Sequence, residues 1–310
     1  MTINMKGKNL VSIDDLSTEE VHQIFQTAQL LKLKHYANDK TPVLAGKVLG
    51  MIFQKPSLRT RVSFESGMIQ LGGQAIYLGP DDIKLGKREA TKDIAAVLSR
   101  YVHAIMARTF SHQVILDLAE HATVPVINGL SGLLHPCQAL GDLFTITEKK
   151  GSLDKLKLAF IGDGNNVFHS LLYAAVKVGM DITLAHPAGY APQETILAKA
   201  REDAAKTGSR ITLTPDPQQA VKEADVIYTD VWTSMGFEAE KATRMQAFAP
   251  FQVNRQLVSQ AKADAIILHC LPAHRGEEIT DEVIDSASSV VIDQAENRMH
   301  AQNAVLSLVM

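Results

Sequence analysis

Short apolar runs alternate with amphipathic stretches along the first half of the chain. The runs that predict strands lie at 47–53, 74–78, 104–108 and 124–128. The stretches with helical spacing lie at 62–71, 93–101 and 113–120. Upstream, the sequence from Ser17 to Glu20 is a capping box, which predicts that a first helix begins there. Strands alternating with helices predict a parallel sheet with helices on both faces.

The same alternation starts again after a helical segment at 136–150. The second series of predicted strands lies at 156–161, 182–186, 211–214, 226–230, 265–270 and 290–293. The final segment, 295–310, has a helical pattern and is able to pack back on the first half. We therefore predict an α/β fold of two domains, 1–135 and 136–294, each a parallel sheet covered by helices on both faces and linked by helices.

The composition is that of a globular enzyme. Hydrophobic residues make up 46% of the 310 residues and charged residues 21%. The net charge of −3 argues against a nucleic-acid partner, because no excess of Lys and Arg is available to neutralise phosphates. No apolar run approaches the length of a membrane span, and the first residues lack the apolar core of a signal peptide. We expect a cytoplasmic protein with no membrane partner.

The cysteine content points to a reducing compartment. The chain has two cysteines, Cys137 and Cys270, which are far apart and form no CxxC pair. This excludes a disulfide framework and argues against a structural zinc site. We expect no bound metal and no cofactor.

The sequence SLRTR at 57–61 stands where a buried strand gives way to a helix. Backbone N–H groups and the helix dipole favour an anion at such a turn. Arg59 and Arg61 would oppose the dipole unless an anion balanced them, and their guanidinium groups suit phosphate. The alternative is an ordinary capped surface helix with basic residues in its first turn. The pattern favours an anion-binding site.

Further polar residues follow the carboxyl ends of other predicted strands, where open α/β sheets bind ligands. In the first half these residues are Arg108, His135 and Gln138. In the second half they are Asn165, Asn166, Asp230, Cys270 and Arg298. Their coincidence predicts a phosphate-like pocket on one half and an amine-binding pocket on the other.

A glycine-rich turn at 162–167 raises the alternative of a dinucleotide-binding domain. It reads GDGNNV, so Val167 stands at the third glycine position of the fingerprint. The next predicted strand ends in His186 and Pro187, without the acidic residue that would bind a ribose. The pattern argues against NAD binding.

Four motifs together resemble those of the aspartate and ornithine carbamoyltransferases. SLRTR at 57–61 is similar to the family's carbamoyl-phosphate signature, and HPCQ at 135–138 to its second signature. DVWTSMG at 230–236 and HCLP at 269–272 resemble the pair that marks the ornithine-specific branch. The resemblance runs from the first helix to the segment DQAENRMHAQ, with the motifs in the family's order and spacing.

This resemblance implies the reaction of carbamoyl phosphate with L-ornithine to give L-citrulline and phosphate. It also implies a homotrimer, or a multiple of trimers, with active sites between subunits. The residues that it implies for carbamoyl phosphate are Ser57, Leu58, Arg59, Thr60, Lys84, Arg108, His135, Gln138, Cys270, Leu271 and Arg298. The residues that it implies for ornithine are Asn166, Asp230, Ser234 and Met235. Arg59, Arg108, His135 and Cys270 are the expected catalytic residues.

Two positions depart from the family's pattern. Leu58 stands where threonine is frequent, which removes a hydroxyl but no charge. Lys84 stands in a loop where other members carry Gln or His. We expect Lys84 to contact phosphate in a neighbouring subunit, although it also fits a solvated loop lysine.

The motifs leave several alternatives for the identity of the acceptor amine. Aspartate, putrescine, N-acetylornithine and N-succinylornithine are the acceptors of related enzymes, and a non-catalytic anion-binding relative is a further possibility. Asp230 favours free ornithine, because an acylated α-nitrogen would leave this carboxylate buried without a charged partner. For Cys270 we expect that the thiol orients or deprotonates the amine and forms no covalent intermediate.

Overall fold

The computed structural model describes residues 3–39, 41–83, 85, 89–234, 236 and 238–310. The chain forms two compact units: unit 1 consists of Met1–Phe144 and Glu296–Met310, and unit 2 of Thr145–Ala295. Each unit contains one sheet, and every pairing between the described strands is parallel. The predicted α/β fold with two parallel-sheet domains is confirmed.

Unit 1 is built on a four-stranded sheet in the order β2-β1-β3-β4. Its strands are β1 (Val48–Phe53), β2 (Gln74–Leu78), β3 (Ala104–Arg108) and β4 (Val126–Leu130). Its helices are α1 (Thr18–Tyr36), α2 (Leu58–Gln70), α3 (Pro80–Ile83), α4 (Thr91–Leu98) and α5 (His112–His121). The predicted capping box at the start of α1 is confirmed, because Ser17 and Glu20 each accept a hydrogen bond from the other's backbone N–H.

Unit 2 is built on a five-stranded sheet in the order β7-β6-β5-β8-β9. Its strands are β5 (Lys157–Ile161), β6 (Asp181–Ala185), β7 (Ile211–Thr214), β8 (Val226–Thr229) and β9 (Ile266–His269). Helix α6 (Pro136–Lys150) precedes β5. The helices that follow β5 are α7 (Asn166–Lys177), α8 (Glu194–Thr207), α9 (Pro217–Val221), α10 (Lys241–Phe248), α11 (Arg255–Val258), α12 (Asp281–Ile284) and α13 (Val291–Val309). Two short 3-10 helices, Glu238–Glu240 and Ala249–Phe251, flank α10.

Two helices connect the units. One boundary, after Phe144, falls inside α6, and the other, before Glu296, falls inside α13. The prediction that the domains are linked by helices is therefore confirmed. None of the helices within the described ranges has the length and hydropathy needed to cross a membrane.

Each sheet contains one point at which the order of its strands reverses. In unit 1 this point lies between β1 and β3, and in unit 2 it lies between β5 and β8. Loops that leave neighbouring strands in opposite directions open a crevice at the carboxyl ends of these strands. The topology therefore places the residues after β1 and β3, and those after β5 and β8, where ligands bind in such folds.

The strand predicted at 290–293 is wrong, because α13 begins at Val291. Pairing with β9 reaches only Val290, whose N–H donates to the carbonyl of Ile267 at 3.0 Å. Gln294 then donates to the carbonyl of Val290 as in a helix, and Ile292 is 72% exposed. A four-residue apolar run does not distinguish a strand from the first turn of a helix. Arg298 consequently lies within a helix and does not follow a strand.

The helix after β1 begins earlier than the predicted residue 62. Ser57 has extended backbone angles and accepts a hydrogen bond on its side chain from the N–H of Thr60, so α2 starts at Leu58. The apolar spacing that predicted this helix begins only at Val62, because the first turn carries the polar motif. The motif at 57–61 therefore forms the N-cap and first turn of α2.

Candidate functional site

The polar residues of unit 1 are arranged around the N-terminus of α2. Ser57 is the N-cap, and its hydroxyl lies 3.1 Å from the hydroxyl oxygen of Thr60. Arg59 is half-buried in the first turn, whereas the side chain of Leu58 is 76% exposed. Any contact of Leu58 with an anion would therefore use its backbone N–H. The free N–H groups and positive dipole of this turn favour an anion.

Two buried guanidinium groups converge on the Thr60 hydroxyl. Arg298 donates from Nη2 at 2.9 Å, and Arg108 approaches from Nη1 at 3.5 Å. Thr60 is fully buried, and Arg108 and Arg298 are 8% and 3% exposed. Like charges this close in a buried setting repel each other, so an anion bound beside them would be stabilised.

Arg298 reaches this position because α6 and α13 approach closely. Gly141 on α6 faces the backbone of Arg298, and a Cβ at Gly141 would lie 3.1 Å from the Cα of Arg298. A larger residue would separate these two segments of unit 1. The glycine therefore helps to place the guanidinium at the N-terminus of α2.

His135 is neutral at pH 7 in this environment. Its imidazole is 4% exposed, and burial is the main reason that its pKa lies well below the usual value. The positive charges of Arg298, Arg108 and Lys55 lower the pKa further. A neutral imidazole donates one hydrogen bond from its protonated nitrogen. It is thus suited to polarise a carbonyl oxygen.

Gln138 presents a buried acceptor. Its Nε2 donates to Oδ1 of Asp142 at 2.8 Å, one turn further along α6. Because a carboxylate accepts from the NH₂ end, this bond fixes the orientation of the amide. Oε1 of Gln138 is buried without a hydrogen-bond donor among the described residues. An NH₂ group of a substrate would fit it. Asp142 was not predicted from the sequence, because its role depends on this contact.

The polar residues of unit 2 are arranged around the carboxylate of Asp230, directly after β8. Its Oδ2 accepts from Nδ2 of Asn165 at 2.9 Å. Its Oδ1 accepts from Sγ of Cys270 at 3.0 Å and from the N–H of Val231 at 2.8 Å. Asp230 is 7% exposed, so these bonds keep a nearly buried carboxylate in a single orientation.

Asn165 contributes more than the sequence analysis expected, since only its neighbour Asn166 was predicted to bind substrate. Asn165 is the N-cap of α7 and accepts from the N–H groups of Val167 and Phe168, while its Nδ2 donates to Asp230. Asn166 is the first residue of α7 and is half-buried. The sequence did indicate Asn165 in one respect, because it directly follows the glycine turn at the carboxyl end of β5.

That glycine turn has a packing explanation. A Cβ at Gly164 would lie 2.4 Å from the backbone nitrogen of Pro192, which is closer than two atoms can approach. Glycine is therefore required by a neighbouring loop of unit 2. The turn needs no dinucleotide to explain its composition.

The loop after β9 is anchored by a buried histidine. Nδ1 of His269 accepts from the N–H of Leu271 at 2.9 Å, so its Nε2 carries the proton and donates to Glu278 at 3.0 Å. Both side chains are fully buried. Leu271 has φ of +57°, an unusual value for a residue with a side chain. These contacts fix the segment that carries Cys270.

Among the described residues of unit 2, two groups of side chains have spacings compatible with a metal ion. They are Asp230, His269 and Cys270, and His274, Glu277 and Glu278. In the first group both ring nitrogens of His269 hold hydrogen bonds, one of which a metal would have to replace. The absence of a metal therefore stays a prediction.

Ser234 is half-buried in the loop after β8. Lys84 and Met235 lie outside the described residues.

The comparisons with known proteins agree with this arrangement. The family model of the carbamoyl-P binding domain of aspartate/ornithine carbamoyltransferases matches residues 8–148. The model of the Asp/Orn binding domain of the same family matches residues 154–309.

Individual relatives match over nearly the full length. An anabolic ornithine carbamoyltransferase of Pyrococcus furiosus is 54% identical over 310 residues, which cover 100% of this chain and 98% of the relative. An ornithine carbamoyltransferase of Anoxybacillus flavithermus is 54% identical over 305 residues, or 98% of this chain and 97% of the relative.

Solved structures give the same result. The chain is similar to ornithine carbamoyltransferase from Pyrococcus furiosus with a TM-score of 0.98 at 54% identity, covering 100% of this chain and 99% of that one. For the enzyme from Thermus thermophilus the TM-score is 0.88 at 41% identity, with coverage of 98% and 99%. The chain therefore belongs to the aspartate/ornithine carbamoyltransferase family.

Proposed function

We propose that the chain transfers the carbamoyl group of carbamoyl phosphate to the side-chain amine of L-ornithine, giving L-citrulline and phosphate. The observation that carries this proposal is the convergence of Arg108 and Arg298 on Thr60 at the N-terminus of α2. Relatives at 54% identity carry the name ornithine carbamoyltransferase, which favours ornithine over the other acceptor amines. One relative is named anabolic, which favours the direction towards citrulline.

Within unit 1, the N-terminus of α2 is the proposed phosphate site. Ser57, Arg59 and Thr60 would bind the phosphate oxygens, together with the backbone N–H of Leu58. The departing phosphate gains negative charge as its bond to the carbamoyl carbon breaks, and these donors stabilise that charge. Lys84 is a further proposed phosphate ligand, supplied by a neighbouring subunit.

The carbamoyl group would be bound by Arg108, His135, Gln138 and Arg298. Negative charge develops on the carbonyl oxygen in the tetrahedral transition state, and a positioned donor there is worth about 3 kcal/mol. Arg108 and the neutral His135 would supply such donors. Oε1 of Gln138 would accept from the carbamoyl NH₂, which orients the carbonyl carbon for attack. Cys270 and Leu271 are the remaining proposed contacts of this group.

The acceptor would be bound through Asp230, with Asn166, Ser234 and Met235 as further ligands. A carboxylate in this position favours a free α-ammonium group. The attacking amine must be neutral, whereas a free alkylammonium has a pKa of about 10.4. Positive charges of the phosphate site disfavour the protonated amine. Cys270 would orient the neutral amine or accept its proton.

The decisive experiment measures citrulline formation from carbamoyl phosphate and ornithine. The other amines tested at equal concentration are N-acetylornithine, N-succinylornithine, putrescine and aspartate. We expect a strong preference for ornithine, and an Asp230→Asn variant should raise the KM for ornithine. Preference for another amine would overturn the proposed acceptor, and no turnover with any amine would overturn the proposed function.

We also propose that the chain assembles as a homotrimer or a multiple of trimers. Leu58, Val62 and Ile69 form one stripe on α2, and they are 76%, 49% and 70% exposed. Ile76 on the edge strand β2 is 48% exposed. An exposed apolar stripe beside an open sheet edge is suited to burial against another copy of the chain.

For the compartment we propose the cytoplasm. Cys137 and Cys270 are both free thiols. Free thiols are typical of a reducing compartment.

A further inference from the structure

The turn that follows the Cys270 segment brings one histidine and two glutamates together. These residues are His274, Glu277 and Glu278, and one side-chain ligand atom of each lies within 4.8 Å of the other two. Ligand atoms that share a metal ion at about 2.1 Å lie about 3 to 4 Å apart. Only a small rotation of these flexible side chains is therefore needed for all three to bind one ion.

Glu278 is a fully buried carboxylate whose hydrogen-bond donors are uncharged. Its Oε1 accepts from Nε2 of His269 at 3.0 Å and from the backbone N–H of His274 at 2.6 Å. His269 donates as an uncharged imidazole, because its Nδ1 accepts from the N–H of Leu271. Among the residues that the structure describes, no lysine or arginine forms an ion pair with Glu278. A glutamate is almost never fully buried without a partner for its charge.

The second oxygen of each glutamate is also without a hydrogen-bond donor. Oε2 of Glu277 and Oε2 of Glu278 are shielded from solvent, and neither accepts a hydrogen bond within the described ranges. Oε2 of Glu277 lies 3.4 Å from Nδ1 of His274, and its Oε1 lies 3.3 Å from Nζ of Lys241. The side chain of Lys241 is 56% exposed, so solvent screens its charge. A cation bound between the two glutamates would satisfy both buried oxygens.

The backbone of this turn is held in place by a neighbouring segment of unit 2. Nε2 of Gln252 donates to the carbonyls of Gly276 and Glu277 at 2.9 and 3.0 Å. The N–H of Val253 donates to the carbonyl of Glu278 at 2.8 Å. A site with a fixed backbone loses little conformational entropy when it binds a ligand, which favours affinity.

We propose that His274, Glu277 and Glu278 bind one Zn²⁺ ion, with water completing its coordination. One imidazole nitrogen and two carboxylate oxygens are ligands that zinc accepts, whereas Mg²⁺ and Ca²⁺ prefer oxygen alone. The sequence argued against zinc only through its cysteines, and no cysteine is part of this site. The side chain of His274 is 43% exposed, which gives the ion access from solvent. Because Glu278 also holds His269, the ion would stabilise the segment that carries Cys270.

The test titrates Zn²⁺ by calorimetry into the full chain after a chelator has removed bound metal. For the unmodified protein we expect one ion per chain and a melting temperature that rises with Zn²⁺ concentration, because a ligand of the folded state stabilises it. His274→Gln and Glu277→Gln each remove one ligand, so each should bind Zn²⁺ on the order of ten- to hundred-fold more weakly. Glu278 is left intact, because its carboxylate also accepts from His269.

Co²⁺ in place of Zn²⁺ identifies the ligand atoms. We expect no charge-transfer band between a thiolate and the cobalt ion, since the site contains no sulfur. Cys270→Ser should accordingly keep the affinity for Zn²⁺. A thiolate band that disappears in Cys270→Ser would place the ion on the other group of unit 2 and overturn the proposal.

The matched controls are His22→Gln and Glu282→Gln, which remove an exposed imidazole and an exposed carboxylate and should leave the affinity unchanged. The proposal is overturned if the unmodified protein binds no Zn²⁺, or if its affinity survives in both His274→Gln and Glu277→Gln. It holds independently of the proposed carbamoyl transfer, because each readout is metal binding or melting temperature.

Discussion

Asp230 illustrates how much of the proposed site is decided by single side chains. Its carboxylate accepts bonds from Asn165, Cys270 and the backbone of Val231. In the contact with Cys270 the thiol is the donor, because the proton on Sγ points to Oδ1 of Asp230. A thiol that donates to a carboxylate is not the thiolate needed for nucleophilic attack. The geometry therefore favours an orienting role for Cys270.

Substituting Cys270 by serine and by alanine checks this role. A serine hydroxyl can still donate to Asp230, so we expect Cys270→Ser to remain active with a KM for ornithine raised on the order of ten-fold. Cys270→Ala removes the donor and should be the more impaired variant. Steady-state kinetics with varied ornithine measures both effects. Near-complete loss of turnover in Cys270→Ser would instead indicate a covalent role.

Residue by residue, the motifs named candidate reactive groups but not the residues that support them. Arg108 and Thr60 meet as expected of neighbours at the carboxyl ends of β1 and β3. The sequence did not predict that Asp142 orients Gln138, or that Asn165 binds Asp230. The burial of Lys55, whose charge acts on His135, was equally hidden from the sequence. Supporting contacts depend on distances that the order of residues does not contain.

At the scale of elements, Arg244 anchors the start of the loop between β8 and α10. Arg244 on α10 donates to the carbonyl of Trp232 at 3.1 Å and to Asp163 at 2.7 Å. Its guanidinium also bonds Glu240 and lies 4.9 Å from the centre of the Tyr190 ring. Burial raises the pKa of Asp163, and Arg244 opposes that rise. One side chain thus ties the start of this loop to the turn after β5.

Removal of this anchor should affect the acceptor half of the reaction selectively. In Arg244→Met the Trp232 carbonyl and the Asp163 carboxylate lose their donor, so we expect the KM for ornithine to rise on the order of ten-fold. The KM for carbamoyl phosphate should change little. Arg244→Lys should recover part of the loss, since it keeps the charge but not the fork of donors. Steady-state kinetics with each substrate varied provides the measurement.

An exposed arginine provides the control for this experiment. Arg201→Met removes a guanidinium from α8 that pairs with Glu194 at 3.0 Å, and its side chain is 57% exposed. It should leave both KM values unchanged. Equal effects of Arg201→Met and Arg244→Met would contradict the anchoring role.

Secondary structure followed the apolar pattern in the nine described strands, whose bounds differ from the predicted ones by at most two residues. Ser17 and Glu20 marked the start of α1 correctly. The pattern failed at 290–293, where pairing with Ile267 stops at Val290 and a helix takes over. Whether such a short apolar run extends a sheet depends on the space left beside β9, which is a property of the packed unit.

For the whole molecule, the exposed stripe of α2 leads to a prediction about assembly. Ile69→Glu places a charge where the proposed trimer would bury an apolar side chain, and burying an unpaired charge is strongly unfavourable. We expect this variant to have the mass of one chain, 33.8 kDa, where the unmodified protein has three times that mass or a multiple of it. Light scattering coupled to size-exclusion chromatography measures the molar mass of both proteins.

Ile292→Glu is the matched control for assembly. Ile292 is 72% exposed, as Ile69 is 70% exposed, but it lies at the start of α13 in unit 2. Its substitution should leave the mass unchanged. A trimer that persists in Ile69→Glu, or a protein that is monomeric without any substitution, would contradict the proposed interface.

The sequence by itself determined the α/β class, the two domains, the helical links and the family motifs. These features depend on local periodicity, on capping residues and on short spacings, all of which the order of residues contains. Only the tertiary structure decided that Lys55 is buried, that Asp142 orients Gln138, that Asn165 binds Asp230, and that α13 begins at Val291. These features arise from contacts between distant segments, because burial and charge depend on which neighbours the fold brings together.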